Sequence, residues 1–137
     1  LDVEAAVSFL LDDARTCAVD EAKLMLVGAS NGTTSVFDYT VSRQNTELPD
    51  PAAMAWLSPG TYTEAQNALA DNPLAELPLL IVHPDNEPWA TNLTAPVAWK
   101  IVAIENGQHG TRNFDDGARE AVQLSELVGW ATANVAP

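Results

Sequence analysis

At 137 residues, 47% of them hydrophobic, the chain is long enough for one domain with a substantial core and short for two. A formal charge of -13 excludes nucleic acid and anionic membrane surfaces as partners, since the summed field of the protein would repel both. A neutral, cationic or apolar small molecule fits better, and the single cysteine, Cys17, rules out an internal disulfide.

From the N-terminus, Val3, Val7, Leu10, Leu11 and Ala14 recur at helical spacing, which predicts an amphipathic helix over residues 2 to 17. Four short apolar runs follow, Lys23 to Val27, Ala52 to Leu57, Leu77 to Val82 and Val97 to Ile104, mostly without strict polar alternation. That pattern suits strands buried on both faces, as in a parallel sheet. Residues 31 to 43, 61 to 71 and 115 to 134 are able to form helices between and after them. In the last of these Ala121, Leu124, Leu127, Val128 and Ala131 are expected to line the buried face. The stretch 86 to 96, with Pro88 and Pro96, reads as a loop. Strands alternating with helices predict an α/β fold with a largely parallel sheet of about four strands. No apolar run approaches the ~18 residues of a membrane span, and the N-terminus has no basic region followed by an apolar segment. The expectation is a soluble chain, with the cytoplasm favoured.

Residues 24 to 37, "LMLVGASNGTTSVF", admit two readings. Asn31-Gly32 is a strong two-residue hairpin signal, and Ser35, Phe37, Tyr39 and Val41 alternate as a half-exposed strand would. Alternatively, Gly28-Ala29-Ser30-Asn31-Gly32 is a G-x-S-x-G turn between strand and helix, with a nucleophilic Ser30 and small residues at both flanks to avoid collisions in a tight turn. An apolar strand directly upstream favours the second reading.

Further along come "MAWLSPG" (54 to 60), "IVHPDNEPW" (81 to 89) and "NGQHGTRNF" (106 to 114), before the final amphipathic segment. With the G-x-S-x-G turn, this succession resembles the C-terminal half of an α/β-hydrolase of the esterase and lipase superfamily, whose triad runs serine, acid, histidine along the chain. The resemblance implies Ser30 as nucleophile, Glu87 as acid with Asp85 as the alternative, and His109 as base. It also implies the Asn31 N–H as an oxyanion donor and Trp89 beside the acid loop as a pocket residue. The remaining histidine, His83, reads as a strand-end packing residue. Trp56, Trp99 and Trp130 read as core or pocket wall. No metal or organic cofactor is implied.

Such a set performs acyl transfer to water. A serine hydroxyl is a poor nucleophile until an imidazole accepts its proton, and the acid fixes the tautomer of that imidazole. The expected activity is hydrolysis of short-chain or aryl carboxylic esters. The family's N-terminal strands, which carry a second oxyanion donor, have no counterpart before the first helix. That predicts an apolar sheet edge at Leu24 to Val27, closed by a homo-oligomer or a complementary chain. Two other functions stay open: a non-catalytic assembly subunit on a partial hydrolase scaffold, and, if the hairpin is real, an unrelated α+β binding domain.

Overall fold

The computed structural model describes residues 2–12, 19–42, 45–60, 74–87 and 95–135. The expected helix over 61 to 71, Cys17 and Trp89 lie outside these. The element order is α1 (Asp2–Leu10), β1 (Met25–Ala29), α2 (Gly32–Ser42), β2 (Ala53–Leu57), β3 (Leu79–Pro84), β4 (Trp99–Ile104) and α3 (Gly117–Val135), with short 3-10 helices at Glu21–Lys23 and Gly110–Asp115. The four strands form one all-parallel sheet in the order β1-β2-β3-β4. This is a small α/β fold.

The burial of the strands follows from that order. Every residue of the inner strands β2 and β3 is buried, as strands covered on both faces require, whereas the edge strand β1 alternates buried and more open positions and the edge strand β4 is buried only at its two ends. On one face α1 and α2 cover Leu26, Met54, Trp56, Leu79 and Ile81, with Val7 and Phe37 supplied by the helices. Phe37 meets Trp56 edge-on, ring centroids 5.9 Å apart. On the other face α3 lies over Ala55, Leu57, Leu80, Val82 and Ile104, with Leu127, Trp130 and Phe114 packed on them. Asp116 begins α3 by accepting the N–H groups of Ala118 and Arg119 at 3.2 and 3.3 Å, a side-chain cap on otherwise orphaned donors.

Three differences from the sequence expectation have physical causes. First, α1 ends at Leu10, with the Asp12 N–H donating to the Phe9 carbonyl in the turn that follows, and residues 13 to 17 of the expected helix lie outside the described residues. Second, β1 and β3 end two residues later than their apolar runs suggest. Gly28 and Ala29 pair with Trp56 and Leu57, so the ladder, not the hydrophobicity, sets the end of the strand. Third, the inward face of α3 is rotated. Gln123, Leu127 and Trp130 face the protein, while Ala121, Leu124 and Val128, expected inside, are exposed. Two hydrogen bonds set this rotation: Trp130 Nε1–H to the Met54 carbonyl at 3.1 Å and the Asn113 amide N–H to Gln123 Oε1 at 2.8 Å. Apolar residues occupy so much of this helix's circumference that their spacing alone leaves its rotation open.

β1 is one edge of the sheet, and Val27 there is half-exposed. Among the described residues no helix is long and apolar enough to cross a membrane.

Candidate active site

The segment after β1 is the helix α2, so the hairpin reading of Asn31-Gly32 is overturned. A strand parallel to its successor cannot be joined to it by a two-residue turn; it needs a crossover, and α2 is that crossover. Ser30 sits at the junction with φ +51°, in the left-handed region that side-chain-bearing residues avoid. Its conformation is over-determined by neighbours. The Ser30 N–H donates to the Leu57 carbonyl at 2.8 Å, and its own carbonyl accepts both the Thr33 N–H at 3.1 Å and the Thr33 hydroxyl at 2.7 Å. The turn is tight enough that a Cβ on Gly28 would stand 2.6 Å from the Gly32 carbonyl oxygen. The expected need for a small residue at the second flank does not hold, since a Cβ on Gly32 would meet nothing within 4 Å. Gly32 opens the helix and points its missing side chain outward.

Two further loops converge on Ser30. After β3, Asp85 and Asn86 form a turn and the Glu87 N–H closes back on the Pro84 carbonyl at 3.1 Å. After β4, the Gly107 N–H closes on the Ile104 carbonyl at 3.0 Å. The backbone of Gly107 presses so closely on β3 that a Cβ there would lie 2.9 Å from the Pro84 Cα. This contact draws the loops after β3 and β4 together, so that Glu87 and His109 face each other.

The result is a continuous chain of hydrogen bonds. His109 Nε2 lies 2.7 Å from Ser30 Oγ, and His109 Nδ1 lies 2.5 Å from Glu87 Oε1. A carboxylate oxygen can only accept, so Nδ1 carries a proton toward Glu87 and a neutral ring leaves Nε2 as the acceptor for the serine hydroxyl. The His109 side chain is 45% exposed and that of Glu87 29%, so a molecule in solution can reach them. Asp85, the alternative acid, is not in this chain. Its Oδ2 accepts the Asn106 N–H at 3.2 Å, joining the two loops. His83 is buried on β3, and its Nδ1–H donates to the Pro84 carbonyl at 2.7 Å.

The electrostatics at Ser30 favour developing negative charge. The exposed Asn31 N–H is unbonded among the described residues, and α2, with no acidic residue in its first turn, directs the positive end of its dipole to this point. Among the described residues, no three His, Cys, Asp or Glu side chains are grouped to hold a metal ion.

Sequence reasoning overlooked the residues around the histidine loop. Ser58, directly after β2, accepts the Gly110 N–H on its Oγ at 2.7 Å, and Asn113 Oδ1 accepts the Gln108 N–H at 2.7 Å. Both lie inside segments singled out in the sequence, Ser58 in "MAWLSPG" and Asn113 in "NGQHGTRNF", but nothing local marks either side chain as a partner of the histidine loop. No protein-family model, curated protein or solved structure matches this chain. The chemistry of the site is therefore read from its geometry.

Proposed function

We propose that the protein is a serine hydrolase that cleaves carboxylic esters through Ser30, His109 and Glu87. The single observation that carries this reading is the unbroken path Glu87 Oε1, His109 Nδ1, His109 Nε2, Ser30 Oγ, which links the carboxyl ends of three parallel strands. The order serine, acid, histidine along the chain and the positive-φ serine at a helix N-terminus support kinship with the α/β-hydrolases.

In this reading Ser30 Oγ attacks the ester carbonyl as its proton passes to His109 Nε2. The Asn31 N–H donates to the resulting oxyanion, assisted by the α2 dipole. The imidazolium, held by Glu87, returns the proton to the alkoxide leaving group as the C–O bond breaks, and an acyl-serine remains. Water then attacks the acyl carbon, gives a proton to His109, and the serine leaves with that proton restored. The openness of His109 and Glu87 supports small or aryl esters over long acyl chains that need an enclosing tunnel.

The test is treatment of the folded protein with a fluorophosphonate probe, peptide mapping of the adduct, and turnover of p-nitrophenyl acetate. A single adduct on Ser30 with ester turnover is the expected result. A folded chain with neither adduct nor turnover would refute the proposal.

A further inference from the structure

The imidazole of His109 has to satisfy two partners at once, one after β1 and one after β3, while nearly half its side chain faces solvent. Packing is thus a poor means of holding it, and the backbone must set its direction. Both backbone N–H groups flanking His109 are bound, each by a buried side-chain oxygen from a different part of the fold. On the C-terminal side Ser58, 1% exposed at the end of β2, receives the Gly110 N–H. On the N-terminal side Asn113, also 1% exposed, receives the Gln108 N–H and is backed by Gln123 of α3, to which its amide donates at 2.8 Å.

We propose that Ser58 and Asn113 are positioning residues that anchor the backbone N–H groups of Gly110 and Gln108, the residues on either side of His109, so fixing the direction in which its imidazole meets Ser30 and Glu87. The proposal rests on the hydrolase reading for its catalytic consequence. The geometry of Ser58 supports the assignment independently. Its φ is +51°, and its N–H is already engaged with the Val82 carbonyl at 2.7 Å. Glycine would adopt that backbone with less strain. A glycine there would leave the buried Gly110 N–H without an acceptor, and the serine oxygen supplies one. Gly110 itself, at φ +65°, is a point at which the loop could otherwise swing. With one anchor before the histidine and one after it, a swing has to break a buried hydrogen bond.

The clamp is tested with Ser58→Gly, which suits the φ of that position, and Asn113→Ala. In each folded variant kcat for p-nitrophenyl acetate should fall about tenfold to a hundredfold with KM within about twofold of wild type, as expected when a reacting group is displaced rather than substrate binding lost. The rate of fluorophosphonate labelling should fall by the same factor. A merely structural role would leave the low-field proton resonance of His109 Nδ1–H unmoved, whereas loss of the clamp should shift or broaden it. Folded variants that retain both wild-type kcat and that resonance would overturn the proposal. If either variant does not fold, hydrogen exchange of the wild-type chain decides: the Gln108 and Gly110 amides should be protected, and exchange at the rate of free peptide would overturn the clamp. The resonance and the exchange do not need turnover, so a wild-type chain without esterase activity would refute the hydrolase reading while these two measurements still judge the clamp.

Discussion

Two serines stand side by side in this protein at equivalent points. Ser30 follows β1 and Ser58 follows β2; the last residues of those strands, Ala29 and Leu57, are register partners, and both serines have φ +51°. Each N–H donates to a carbonyl of the next strand, Ser30 to Leu57 and Ser58 to Val82. Beyond that the two ends diverge. After Ser30 a helix begins at once, leaving its hydroxyl partly open to solvent beside an imidazole. After Ser58 comes Pro59-Gly60, and its hydroxyl is enclosed against a backbone amide. Equal backbone strain thus serves two ends. A left-handed residue at the mouth of this parallel sheet turns its side chain toward a neighbouring loop, and that loop sets its partner: an imidazole for Ser30, a backbone amide for Ser58.

Ser30 is where substitution should separate the two serines most. Ser30→Ala should keep the fold and lower kcat for p-nitrophenyl acetate by about 10⁴-fold or more, because nucleophile and base act as one unit. Retained turnover would remove the distinction between the two serines. The next concerns the acids: Glu87→Gln should lower kcat by about 10³- to 10⁴-fold by stabilising the wrong tautomer of His109. Asp85→Asn, whose oxygen still accepts the Asn106 N–H, should change it by no more than about twofold. A reversed ranking in steady-state kinetics would transfer the acid role.

At the two glycines of the turn the expected effects are smaller. Gly28→Ala forces a Cβ against backbone that cannot give way, so thermal or denaturant unfolding should show a loss of about 1–3 kcal/mol. Gly32→Ala places its Cβ in open space at the first position of α2 and should stabilise by up to about 1 kcal/mol in the same assay. Equal destabilisation at both glycines would mean that the turn is tight on both sides, contrary to the packing described here.

Much of the fold was legible because its signals are local and redundant. Apolar runs of strand length at intervals suited to crossovers predict four parallel strands, and those at 53–57 and 79–84 are buried throughout. The three residue types of the candidate site were also legible, since Ser30, Glu87 and His109 each stand just beyond an apolar run in a turn-rich segment. Their mutual contact was not, because Ser30 and His109 are 79 residues apart and nothing local brings them within 2.7 Å.

Local sequence was enough for about four parallel strands, a turn following the first of them, and a short set of candidate reactive side chains. The choice among local alternatives came from contacts between distant parts of the chain. Asn31-Gly32 suits a hairpin as well as a helix start until parallel pairing with β2 demands a crossover. Glu87 is the expected acid with Asp85 the alternative, and the Asn106 amide engages Asp85 while Glu87 meets His109. The rotation of α3 is open until Trp130 and Gln123 find their partners. In each case the deciding term is a hydrogen bond between segments distant along the chain, and its geometry exists only once the sheet has assembled.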